Sequence, residues 1–160
     1  MQSDLWDHAL SLYARPGVEA ACLDLQRQGG DVCLLLCATW LQARSIEVQQ
    51  QRIEALQGCA GPWQRDVVSP LRSLREQWRE SAKDDQPLAE LREQLKKLEL
   101  SAERALLERL QACASQWPAG RPGQTGDWLA GLAPSQLQDH RALEQLRAAA
   151  LAHQASVDDD

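Results

Sequence analysis

The chain has no phenylalanine, one tyrosine and one methionine, so six tryptophans supply nearly all of its aromatic surface. It is also poor in residues that favour extended backbone. Valine, isoleucine and threonine together number 10, against 26 leucines and 23 alanines. β-Branched side chains suit the pleated surface of a sheet, whereas leucine and alanine lose little freedom in a helix. That shortage excludes a β-rich fold and argues against a parallel α/β sheet. No apolar run approaches the ~18 residues of a membrane-spanning helix. The longest, Val32 to Ala38, covers about two helical turns. The opening residues, MQSDLWDHAL, carry neither the basic stretch nor the apolar core of a secretory leader, which predicts a cytoplasmic chain with no membrane span. Cys22, Cys33, Cys37, Cys59 and Cys113 are odd in number and irregular in spacing, so they are not a disulfide framework.

Positive charge is scarce as well. Lys and Arg number 17 against 23 Asp and Glu, a net charge of −6, to which Asp158, Asp159 and Asp160 contribute three units. This balance argues against a protein that binds nucleic acid over its whole surface. There is no GxSxG, no HExxH and no Gly-rich phosphate loop, so nothing points to an enzyme or to a cofactor.

What is present is helical periodicity. With 160 residues, 44% of them apolar and 25% charged, the chain has enough for one soluble core. Ser3 is the expected cap of a first helix with Leu5, Ala9 and Leu12 on one face, broken at Arg15-Pro16-Gly17. A second helix, Val18 to Gln28, ends at Gly29-Gly30. Asp31 caps a third, Val32 to Arg44, which is apolar nearly all round and therefore expected at the buried centre. Ser45 should open a more polar helix through Ile46, Ile53 and Leu56 that stops near Gly58 and Gly61. Pro62 and Pro70 each suit a first helical turn. Residues 62–81 are thus one helix kinked at Pro70 or two abutting helices, with Val67, Leu71, Leu74 and Trp78 as the apolar stripe.

Asp84-Asp85-Gln86-Pro87 stops and restarts the chain. The longest helix, about 88–113, carries a seam of Leu88, Leu91, Leu95, Leu98 and Ala102, continued by Leu106, Leu110 and Cys113. Its consecutive four-residue steps do not sustain a coiled coil. Leu100 and Leu107 form a second, narrower apolar edge. Residues 116–134, rich in Gly and Pro, predict a flexible loop pinned by Trp117 and Trp128. Ser135 and Gln138 form a capping box for a last helix, about 136–152. An acidic, disordered tail follows at 156–160. The whole reads as one all-α domain, residues 1–155, a bundle of six to seven helices. It comprises a helical core (1–83), the long helix (87–114), the loop (116–134) and a C-terminal helix (135–152).

Three constellations bear on function. Arg65, Arg72, Arg75 and Arg79 share one flank beside Leu71, Leu74 and Trp78, the one local basic excess. Guanidinium groups there suit a phosphate or an acidic peptide. Against that stands a solvated face paired with Asp66, Glu76 and Glu80. Cys22, Cys33 and Cys37 bring thiols within helical reach of one another, although C-x₃-C without a nearby histidine ordinarily means core packing. Asp4 and His8, four apart, suggest a carboxylate orienting an imidazole. No nucleophile accompanies them, so a cap and a solvated histidine are expected. Trp40 and Trp78 are expected in the core, and His140 and His153 lack ligand spacing.

The stretch LWDHALSLYARPGVEAACLDLQRQGGDVCLLLCATWLQAR carries a distinctive set of motifs. They are Trp6, Tyr13-Ala14, Pro16-Gly17-Val18, Cys22-Leu23, Leu25-Gln26, Asp31-Val32, Leu34-Leu35-Leu36 and Trp40-Leu41. Trp63, Val67-Val68 and Pro70-Leu71-Arg72 follow. The chain resembles a family of short gammaproteobacterial proteins known as domain-of-unknown-function family 2390, well over roughly the first 80 residues and more loosely along the long helix. The resemblance implies a helical fold and a bacterial setting, and no activity. It also implies aromatic or asparagine residues near Cys33 and Cys37 in relatives, which speaks against a shared thiol function.

These readings converge on a cytoplasmic, non-enzymatic binding or adaptor protein that acts through protein–protein contact. Arg65, Arg72, Arg75, Arg79, Leu100 and Leu107 are the expected contact residues, and the expected partner is a protein with an acidic surface. The alternative is a thiol-dependent redox or metal-binding protein using Cys22, Cys33 and Cys37. Oligomeric state is not encoded in any pattern of the sequence.

Overall fold

Asp4 accepts a hydrogen bond from the Asp7 amide (2.8 Å) and so starts α1 (Leu5–Tyr13). The computed structural model describes residues 4–159, and Ser3, the expected cap, lies outside them. Gly17, at φ +83°, makes the turn into α2 (Val18–Arg27), a backbone conformation that costs a glycine nothing. Asp31 Oδ1 accepts from the Leu34 amide (3.1 Å) and caps α3 (Val32–Ala43). Cys33 through Leu41 are all buried, as the uniformly apolar sequence requires.

Ser45 does not begin a helix. It sits at φ +58°, and the chain beyond it is extended. Ile46 bridges Ala119, the Val48 amide donates to the Thr125 carbonyl (2.8 Å), and the Trp128 indole N–H donates to the Ile46 carbonyl (2.6 Å). These distant partners outcompete local helix formation, so α4 (Gln50–Trp63) starts five residues late. Nor does it stop at Gly58 or Gly61, which face open space. It runs through Pro62 into a π-helical turn, Gln64–Val68, and on into α5 (Ser69–Gln77). Widening the helix puts the Ser69 amide on the Gln64 carbonyl and leaves Pro70, which has no amide to donate, in the first turn of α5. The segment is therefore one continuous rod. α5 buries none of its residues completely; Val67, Leu71 and Leu74 are half-buried along a groove against the next helix, and Trp78 is likewise half-buried, all four outside the core.

That helix, α6 (Gln86–Ala114), is capped by Asp85. Its C-terminal half enters the core through Ala102, Leu106, Leu107, Leu110 and Ala114. Leu91 and Leu98 remain about half exposed, so the expected seam is closed only in part. The stretch 116–134 is tied down more than its composition suggests. Trp117 stacks on the buried Trp128 (6.1 Å, 8° between planes), and Asp127 caps α7 (Trp128–Leu132), which packs on α3. The Ser135–Gln138 capping box does not form. Ser135–Leu137 is a 3-10 turn, and the Gln138 side chain instead donates from Nε2 to the carbonyls of Ala130 and Ala133 (2.8 Å each). His140 Nδ1 accepts from the Ala142 amide and caps α8 (Arg141–Asp158). The tail expected to be disordered is thus helical to Asp158; Asp160 lies outside the described residues. One hydrophobic cluster runs from α1 to α8 around α3. Among the described residues no helix is long and apolar enough to cross a membrane.

His8 is buried rather than solvated. Its Nε2 lies 2.9 Å from Thr39 Oγ1, and since that hydroxyl donates to the Leu36 carbonyl (2.7 Å), the imidazole N–H is the donor. The His153 ring meets it edge-on at 5.7 Å. Burial first, and His153 second, lower the His8 pKa to about 4. A histidine held neutral in this way takes up its proton more readily once unfolded, so its contribution to stability falls as pH drops from about 6.5 to about 4. Measured as the difference from His8→Gln in urea unfolding, the wild type should lose about 3 kcal/mol across that window. Parallel curves for the two proteins would contradict a buried neutral histidine.

Candidate functional site

The core-facing row of α6 reads Leu95, Glu99, Ala102 and Leu106, so a carboxylate occupies a position where an apolar residue belongs. Glu99 is 7% exposed. An unpaired carboxylate there would cost several kcal/mol, and two arginines of α5 compensate it. Arg75 donates from Nε to Glu99 Oε1 (2.5 Å) and from Nη2 to Oε2 (3.4 Å). Arg72 Nε stands 3.4 Å from Glu99 Oε2, and its Nη2 is 4.0 Å from Glu103 Oε1. Both guanidinium groups are therefore turned inward. Arg65 pairs with its neighbour Asp66 in solvent, and Arg79 is exposed. The four arginines do not make the single outward-facing basic flank expected from their spacing.

On its other side Arg72 borders a crevice of about 400 Å³, together with Gln26, Gly30, Asp31, Gln64 and Ser69. Asp31 accepts from Gln64 Nε2 (2.8 Å), and burial raises its pKa against the pull of that bond, the Leu34 amide and Arg72. Glu103 has its pKa raised to about 7, by burial first and by Glu99 second, with Arg72 opposing. Two guanidinium groups thus serve three carboxyl groups.

Glu103 shares a face of α6 with Leu100 and Leu107, three residues before it and four after. That face closes one side of a cleft of about 170 Å³. α1 contributes Trp6, Ala9, Leu10 and Tyr13; α2 contributes Cys22, Leu23 and Gln26; α3 contributes Val32, Cys33 and Leu36. The expected Leu100/Leu107 edge resolves into two different roles. Leu107 is buried as floor, whereas Leu100 stands on the rim, 53% exposed, beside Leu10 (50%) and Leu23 (42%). At one edge the Arg104 guanidinium lies 4.9 Å over the Trp6 ring and pairs with Glu108 (3.2 Å). Burial, with Glu19, Cys22 and Glu103 nearby, raises the Tyr13 pKa to about 12, so the phenol is a neutral donor.

The thiols behave as core groups. Cys22 and Cys33 line the cleft floor, and Cys37 is enclosed. Burial raises the Cys22 pKa to about 12 and raises Cys33 and Cys37 further. A thiol held protonated is a poor nucleophile and a poor metal ligand. Among the described residues no group of three or more His, Cys, Asp or Glu is placed to hold a metal ion. Glu99 and Glu103 are not singled out by the sequence, and Asp31 and Tyr13 read there as a helix cap and a family motif, not as site residues. The available signal was Glu99 itself, a charge in the buried register of a leucine stripe.

Two outcomes follow from this geometry. In the native protein Ellman's reagent should modify the half-exposed Cys59 and Cys113 first, and Cys22, Cys33 and Cys37 at least about a hundredfold more slowly until unfolding. Rapid native labelling of Cys33 would contradict the closed floor. For Glu103 the pH linkage has the opposite sign to that of His8. A carboxyl raised above its unfolded value stabilises most below about pH 4.5, and that contribution is lost as pH rises through about 7. Glu103→Gln should therefore gain on the wild type by about 2 kcal/mol between about pH 5 and about pH 8. Because the two trends offset each other in the wild type, the difference between variant and wild type is the readout.

Comparison with curated proteins and with solved structures finds no match. A family model described as a protein of unknown function, DUF2390, matches residues 4–110. That span takes in α1 to α5 and most of α6, and with them every residue of the cleft and of the ionic cluster; α7 and α8 fall outside it. Well over half of the chain is matched, and this protein belongs to the DUF2390 family.

Proposed function

We propose that this protein is a cytoplasmic, non-enzymatic binding or adaptor protein that receives an apolar segment of another protein in the cleft between α1, α2 and α6. The observation that carries this reading is the convergence of Leu10, Leu23 and Leu100 on one rim. These are three of the seven large apolar side chains left exposed among the described residues, and they surround an apolar floor. Covering the exposed part of each would contribute about 1 kcal/mol. A concave apolar surface with a few fixed polar groups is the usual form of a recognition site, and Trp6 and Tyr13 supply aromatic anchors at its wall. Five unpaired cysteines support a reducing compartment. An acidic partner loses its support, since Arg75 is hydrogen-bonded to Glu99 and Arg72 is drawn inward toward Glu99 and Glu103.

Leu100→Glu and Leu23→Glu alter exposed positions and should leave the fold intact. Leu151→Glu, at a side chain 66% exposed and outside the cleft, is the control. In affinity capture with cross-linking and mass spectrometry, a partner held by the wild type and by Leu151→Glu should fall at least about tenfold with Leu100→Glu. Equal capture by all variants would remove the cleft as the binding surface.

A further inference from the structure

The ionic cluster behind the cleft is one positive charge short. Asp31, Glu99 and Glu103 approach it from α3 and α6, while Arg72 and Arg75 approach from α5. Away from the crevice beside Arg72 and Asp31, the cluster opens on the cleft side at Glu103, whose side chain is 31% exposed and lines the cleft. The other groups facing that opening do not supply the missing charge. Tyr13 on α1 is a neutral phenol, Cys22 on α2 and Cys33 on α3 are protonated thiols, and Glu19 on α2 adds a further acid close to Tyr13. Arg104, the cation at the rim, is already engaged by Trp6 and Glu108.

Resting on the binding role set out above, we propose that the partner segment presents a lysine, whose ammonium group meets Glu103 while its alkyl stem lies along Leu100 and Trp6. Charge complementarity favours a cation, since an acidic side chain would meet Glu103 on a lining that carries no cation, Arg104 at its edge being paired with Glu108. The cleft offers a single carboxyl, because Glu99 and Arg72 occupy the inner side of Glu103. One carboxyl suits a compact ammonium on a flexible stem better than a planar guanidinium that needs two parallel acceptors. In the free protein a proton does this work below about pH 7. Binding exchanges one cation for the other: the carboxylic acid and the incoming ammonium become a carboxylate–ammonium pair, and one proton leaves to solvent.

The test uses the full chain, with nuclear magnetic resonance titrations read at the Trp6 indole and the Leu100 methyl groups. The probes are n-hexylammonium, hexan-1-ol and hexanoate, and the peptide acetyl-Leu-Lys-Leu-Leu-amide beside its norleucine analogue. Hexylammonium should bind more tightly than hexanol, and hexanoate least. Because Glu103 titrates near 7, hexylammonium should bind roughly tenfold more tightly at about pH 8 than at about pH 6. The lysine peptide should exceed its norleucine analogue, and Glu103→Gln should remove both preferences. Equal binding of hexanol and hexylammonium, or binding of the amine with exclusion of the lysine peptide, would overturn the proposal. Should Glu103→Gln fail to fold, the pH dependence and the norleucine comparison still decide. Loss of all charge preference alongside persistent loss of the partner in Leu100→Glu would overturn the lysine and leave the binding role standing.

Discussion

α3 has no polar face, and a helix apolar on all sides must be covered on all sides. This constraint organises the rest of the molecule. α1, α2, α6, α7 and α8 each contribute a stripe to that cover, so elements from both ends of the chain meet on one short helix. The cover leaves little room for polar groups. Those that intrude are satisfied by specific partners, as His8 is by Thr39 and the Trp128 indole by the Ile46 carbonyl. The cleft opens at the junction of α1, α2 and α6 above the first turns of α3.

The second constraint follows from one residue in the wrong register. Glu99 occupies a core-facing position on α6 and can be carried there only with guanidinium partners. Arg72 and Arg75 supply them, which fixes the roll of α5 and draws the π-helical turn, with Gln64 on Asp31, toward the start of α3. A purely apolar residue at position 99 would pack α6 without demanding anything of α5. The carboxylate instead couples α3, α5 and α6 through a single ionic cluster. It also leaves Glu103 underneutralised at the mouth of the cleft, so the group that reports on the cleft is set by a packing problem one turn away.

Much of the helical layout was legible locally. The three opening helices, the Gly17 and Gly29 turns, the Asp31 cap and the restart at Asp85 and Pro87 all follow from short-range signals. So does the central burial of α3. Local signals misled where a long-range partner competed with them. Ser45 carries a reasonable helix start, yet Ile46 and Val48 are claimed by Ala119, Thr125 and Trp128. Gly61-Pro62 reads as a stop, yet the rod continues because the glycine faces open space and a π-helical turn absorbs Pro70. Ser135 and Gln138 match a capping box, yet Gln138 is drawn back to close α7.

The candidate site shows the same division. Helical periodicity alone places Leu100 and Leu107 on an apolar edge apart from the main seam, because a helix sets the angle between residues seven apart. The same periodicity puts arginines recurrently along one side of α5. That Leu107 is floor and Leu100 is rim, that Arg72 and Arg75 point inward, and that Glu103 stands between the two leucines at the cleft all depend on packing between distant segments. Periodicity gives the direction of a side chain relative to its own helix. The charge or apolar surface it meets there belongs to segments tens of residues away, and only their packing brings it within reach.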